Sequence, residues 1–162
     1  MRGAPGSMRK DAAMGRILVL ALLGALAFTA CGGEADPAKT SAGVAQVRFF
    51  EDLYAGRFAR VYATLHPAHQ KLVSRDLFVR CARETTALHK LESVEVLDVS
   101  DDDARIPDVE DPTRKLVRGR ITSTEDETDN FENHEVKVDD RWRWVLSAKA
   151  IDAYGLGRCP RL

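Results

Sequence analysis

Apolar side chains recur at helical spacing through the first half of the chain beyond residue 40, and at alternating spacing through the second. Val44, Val47, Phe50 and Tyr54 step by three and four, and Phe49 and Leu53 widen the stripe into a face. That spacing predicts an amphipathic helix. Thr40 or Ser41 stands where an N-cap belongs, and Gly56 falls where helices commonly end. Phe58, Val61, Tyr62 and Leu65 make a second helical stripe, stopped by Pro67. Ser74 then caps a third, built from Leu77, Phe78, Cys81 and Ala82.

Beyond residue 90 the period becomes two. Residues 91–99 are rich in β-branched side chains and read as a strand. Leu116, Arg118 and Arg120 alternate with Val117, Gly119 and Ile121, and Glu132, His134, Val136 and Val138 alternate with Phe131, Asn133, Glu135 and Lys137. Asp139-Asp140 then separates these from a run in which Trp142, Trp144 and Leu146 face one way, a hairpin spacing. The acidic stretches Ser100–Pro112 and Thr124–Asn130 are expected to be connecting loops. Helices first and an antiparallel meander afterwards predict an α+β domain with its helices on one face of the sheet.

The first thirty residues follow a different plan. Ile17 to Ala30 are apolar apart from one Thr and one Gly, basic residues precede them, and small residues close the run. This is the layout of a secretory signal, too short for a helix that crosses hydrocarbon. Phe28-Thr29-Ala30-Cys31 resembles the bacterial lipobox, which implies cleavage before Cys31 and lipid on its thiol. Two other outcomes stay open: cleavage after Ala25-Leu26-Ala27 with Cys31 a free thiol, or an uncleaved anchor. The expected division is a signal at 1–30, a flexible tether at 31–42 and a folded domain at 43–162, exported and membrane-attached through Cys31.

The 162-residue chain has a formal charge of −1, but residues 1–30 carry four basic residues against Asp11 alone. The remainder holds 20 basic and 24 acidic residues, with the basic ones scattered. Phosphate-backbone binding needs a basic face, so nucleic acid is not an expected partner. If Cys31 carries lipid, Cys81 and Cys159 remain as an even pair in an oxidising compartment and are expected to form a disulfide, the alternative being two independent thiols.

The order of motifs is similar to that of small bacterial lipoproteins of the nuclear transport factor 2-like superfamily. The likeness rests on Phe50-x-x-Leu53-x-x-Gly56, on Phe58-x-x-Val61-Tyr62-x-x-Leu65-x-Pro67, on the Ser74-capped helix and on Trp142-x-Trp144-Val145-Leu146, within residues 43–152. The resemblance implies an NTF2-like, cystatin-like fold in which a curved antiparallel sheet wraps a long helix and leaves a conical cavity. Phe50, Tyr54, Tyr62, Phe78, Trp142 and Trp144 are its candidate lining, or else simply fill it as core.

Chemistry-bearing residues are sparse. His66-Pro67-Ala68-His69, with His134, is the nearest approach to a metal set, but Pro67 disfavours helical geometry at His66, and no metal or cofactor is expected. Acid/base work inside a cone would fall to Glu135, His134 or Asp98, with Tyr62 or Tyr54 as donor. Arg118, Arg120, Arg141 and Arg143 are expected on a solvated outer face, although they could hold an anion. The acidic stretches at 101–103 and 125–129 lack the Gly and terminal Glu of a calcium loop, and no catalytic residue is assigned. The leading expectation is a non-enzymatic, lipid-tethered domain that binds a small apolar ligand or an envelope protein. A ketosteroid-isomerase- or cyclase-like enzyme and an interaction module with a filled cone are the alternatives.

Overall fold

A computed structural model describes residues 36–86, 90–124 and 127–160. The expected signal at 1–30, the expected lipidation site Cys31 and the start of the expected tether lie outside the described residues. Among those described, no helix is long and apolar enough to cross a membrane.

A 3₁₀ turn at Pro37–Lys39 leads into α1, Ser41–Tyr54, whose N-cap is Thr40: its hydroxyl accepts from the Gly43 backbone N–H at 3.0 Å. A Cβ at Gly43 would stand 2.1 Å from the Pro37 carbonyl oxygen, so only glycine lets the turn fold back onto α1. Three further helices follow, α2 at Phe58–Ala63, α3 at Pro67–Gln70 and α4 at Arg75–Thr86. The stripe expected to run as one helix to Leu65 ends earlier. His66 precedes a proline and takes extended dihedrals, so Leu65 leaves the helix and bridges to Trp144. Pro67 opens α3 at its first position, where its missing N–H costs no hydrogen bond.

Four antiparallel strands in the order β1-β2-β3-β4 make the sheet: β1 Leu91–Asp101, β2 Arg114–Ser123, β3 Thr128–Val138 and β4 Arg141–Trp144. The loop expected at 124–130 is shorter than the acidity suggested, because β3 starts at Thr128 and pairs it with Thr122. Asp139 and Asp140 both take positive φ, 47° and 60°, the conformation a two-residue hairpin turn demands. Register shifts at Leu91/Ser93 and Val96/Asp98 interrupt β1, as bulges do where a sheet bends. The helices-on-sheet α+β class is the one the periodicity predicts. A last helix, α5 at Ala148–Gly155, follows β4 and is absent from the sequence expectations; at eight residues it is shorter than the stretch over which helical spacing can be read.

Core packing divides by face. Beneath α1, Ala42 packs against Val96 and Val117 with Val47, Phe131 and Trp142 around them. At the β4 end, Phe58, Val61, Leu65, Phe78, Trp144, Leu146 and Tyr154 join α2, α4 and α5. On the opposite face, Ile106 and Val109 of the long 102–113 loop bury Val136. Gly119 of β2 is the close point of the sheet, since a Cβ there would lie 2.1 Å from the Glu95 carbonyl oxygen and 2.6 Å from the Phe131 ring. Cys81 on α4 and Cys159 form a disulfide across 78 residues, tying the chain beyond α5 to the helical layer.

Candidate binding groove

Strand alternation decides what lies beneath α1. Cross-strand partners share a face, and the register pairs Phe131 with Gly119, Asn133 with Val117, and Glu135 with both Lys115 and Trp144. Lys137 opposite Trp142 continues the same row. Glu135 therefore sits on the inward parity beside two tryptophans, and α1 and α2 close over this end of the sheet.

The result is a groove of about 650 Å³. Its apolar wall is Val44, Ala45 and Phe49 of α1, Val61 of α2 and Trp142 and Trp144 of β4, with Glu135 among the lining. The tryptophans are fixed by their ring nitrogens: Trp142 Nε1 donates to Ser41 Oγ at 2.8 Å, and Trp144 Nε1 donates to the Val61 carbonyl at 3.0 Å. Phe49 stands 5.1 Å from the Trp144 ring, so the aromatic wall is packed and satisfied before any ligand arrives.

Glu135 is 2% exposed, and its Oε2 has no hydrogen-bond partner among the described residues. Burial pushes its carboxyl from 4.5 up to about 8, so the group carries its proton at neutral pH. Lys115, its partner across β2, does not relieve it, because Lys115 Nζ reaches the Asp101 carboxylate at 2.6 Å. Arg48, Glu51, Asp52, Arg57, Arg60 and Arg141 border the groove. Asp52 lies within ion-pair distance of both Arg57 and Arg60, whereas Arg48 and Arg141 are exposed and have no ion-pair partner among the described residues. A shallower depression of about 370 Å³ shares Arg57 and Arg60 and is bordered by Phe58, Val79 and Arg83.

Of the six aromatic residues expected to line a cone, Trp142 and Trp144 border the groove. Phe50 is buried against Phe131 and Phe49, with ring centres 4.7 and 5.1 Å apart, and occupies the space under α1. Phe78 packs among Tyr62, Trp144 and Tyr154. The Tyr62 hydroxyl lies 3.1 and 3.0 Å from the carbonyls of Gln70 and Val73, outside the groove. Tyr54 is half-buried, its phenol raised by burial and then by the Asp129 charge, and it does not line the groove either.

The three described histidines are committed to the 102–113 loop. His66 Nε2 is 3.0 Å from Asp111, His69 Nε2 donates to the Pro107 carbonyl at 2.8 Å, and His134 Nδ1 is 2.7 Å from Asp102. Nδ1 of His69 accepts from the Leu146 N–H at 2.9 Å, so this fully buried ring has neither nitrogen free. No group of three or more His, Cys, Asp or Glu poised for a metal occurs among the described residues. Asp98 bonds Ser100 and Arg118, leaving Glu135 alone of the three acid/base candidates in the groove. Arg118 and Arg120 lie in an ion-paired ladder with Asp98, Glu132 and Glu95, as expected of a solvated face. Arg141 departs from that expectation and borders the groove, because β4 is the short edge strand beside α1. Arg48 and Arg60 were not legible as site residues, since helix periodicity assigns them only to a polar face, and Arg57 falls between the two helical stripes.

No family model matches the chain, and no curated protein matches it. Among solved structures, the chain is similar to an NTF2-like transpeptidase from Campylobacter jejuni, with 14% sequence identity and a TM-score of 0.51. The alignment covers 67% of this chain and all of the other. At that identity the likeness is one of fold: the domain is NTF2-like in architecture.

Proposed function

We propose that this chain is an exported, lipid-anchored, non-enzymatic domain that binds a small, largely apolar ligand in the groove between α1, α2 and β4. The leader at 1–30 and the lipobox-like residues ending at Cys31 support the export and the anchor. One observation carries the binding reading: a concavity of about 650 Å³ whose apolar wall includes Phe49, Trp142 and Trp144. That volume lies within the range of small-molecule sites, about 300–1,000 Å³. The space directly under α1 does not serve, being filled by Phe50, Phe131 and Val117.

An acid/base enzyme is the second reading, and Glu135 favours it, as a buried carboxyl able to exchange a proton near neutral pH. It ranks lower because neither tyrosine that could assist lines the groove.

Titration of the purified chain with the neutral fluorophore N-phenyl-1-naphthylamine tests the binding reading. Saturable one-to-one binding is expected, and Ala45→Trp, which fills the groove, should abolish it; equal binding by that variant refutes the site. Labelling of expressing cells with an alkynyl palmitate tests the anchor, and a Cys31→Ala variant that still labels refutes it.

A further inference from the structure

We propose that the groove's ligand is a single small amphipathic anion, its apolar body against Trp142 and Trp144 and its acid group held at the mouth by Arg48 and Arg141. The inference rests on the binding reading above and names the ligand's chemical class.

Its basis is how the sheet deals with its other cations. Lys115, Arg118, Arg120 and Lys137 each hold a carboxylate. Arg114 and Arg143 each donate to a backbone carbonyl, at 2.8 and 2.6 Å. Among the described basic residues of β2, β3 and β4, Arg141 alone has neither kind of partner, and it borders the groove. Arg48 reaches the same mouth from α1, likewise unpaired among the described residues.

The charge balance points the same way. Four arginines face two carboxylates around the mouth, and Asp52 is already engaged by Arg57 and Arg60. Glu135 is protonated at neutral pH and adds no opposing charge there. A surplus of two positive charges beside an apolar, aromatic wall complements a molecule with one acidic end and one apolar end. A purely apolar ligand would leave the cations unused. The concave shape and its volume suit one dissolved molecule rather than the flat surface of a bilayer.

Two fluorophores with the same aromatic body separate the possibilities: N-phenyl-1-naphthylamine, which is neutral, and 8-anilinonaphthalene-1-sulfonate, which adds one sulfonate. Both are titrated into the full chain at about 0.02 M and about 0.5 M salt, where exposed charges are weakly and strongly screened. The sulfonate probe is expected to bind roughly tenfold more tightly at low salt, with the advantage shrinking at high salt. Replacing both Arg48→Gln and Arg141→Gln should erase the advantage, while Arg118→Gln, on the ion-paired ladder, should leave it intact. Both arginines are exposed, so the double variant is expected to keep the parent's urea midpoint. Equal affinity for the two probes overturns the anionic class and leaves the binding reading standing. An equal loss in Arg118→Gln overturns the assignment to the mouth. Binding of neither probe removes both readings together.

Discussion

Replacing Glu135 by Gln removes a titrating group from a site where ionisation is opposed, and the consequence for stability can be worked through. In the unfolded chain the carboxyl loses its proton near 4.5, and in the fold burial holds it to about 8. Between those values the folded state keeps a proton that the unfolded state has released. Stability therefore falls as pH rises across that window, by about 1.4 kcal/mol for each pH unit. Accumulated over the window, the loss is about 5 kcal/mol, comparable with the whole stability of a small domain. The contribution is fully present below 4.5, declines towards 8 and is gone above it. Glutamine has nearly the same shape and no proton to lose. The assay is urea unfolding of parent and Glu135→Gln at intervals from about pH 5 to about pH 9, plotted as the difference in unfolding free energy. Contributions from the histidines and surface carboxylates are common to both proteins and cancel. The difference should grow steadily in the variant's favour up to about pH 8 and then level off. A flat difference across the range would mean that the carboxylate reaches water or an arginine in the fold, and the burial argument would fail.

Three other outcomes follow from the packing. Gln46→Leu should stabilise the protein by about 1–2 kcal/mol, because the Gln46 amide is fully buried with neither end partnered among the described residues; a lower urea midpoint would contradict this. His69 is held below its ordinary 6.5, first by burial, so its contribution is full above 6.5 and lost as pH falls below; His69→Gln should flatten that acid limb, and an unchanged limb refutes the assignment. Replacing Cys81 and Cys159 together by Ala should cost on the order of 4 kcal/mol, read as a lower urea midpoint, since the bond closes a long loop in the unfolded chain; an unchanged midpoint argues against that role.

Local chemistry made much of this protein legible from its sequence. Thr40 and Ser74 as helix caps, Gly56 as a terminator, the change of period after residue 90 and the two-residue turn at Asp139-Asp140 act over a few residues, and the chain carries them wherever it packs. The pairing of Cys81 with Cys159 followed from counting thiols under an assumed address. Even the inward parity of Glu135 was implicit in the alternation of β3.

Tertiary structure decided what those parts mean. Whether an aromatic residue fills a core or walls a groove depends on which elements close over it. Phe50 and Phe78 are covered on all sides, while Trp142 and Trp144 lie on a short edge strand where α1 and α2 leave a gap. The same edge brings Arg141 to the groove with Arg48, two residues 93 positions apart that no local pattern connects. The histidines that read as metal-ligand candidates became clamps on the 102–113 loop because Asp102, Pro107 and Asp111 arrived beside them from elsewhere in the chain. Spacing along a chain specifies faces. Which faces meet, and what is left unpaired where they do not, is settled only when distant segments compete for the same buried surface.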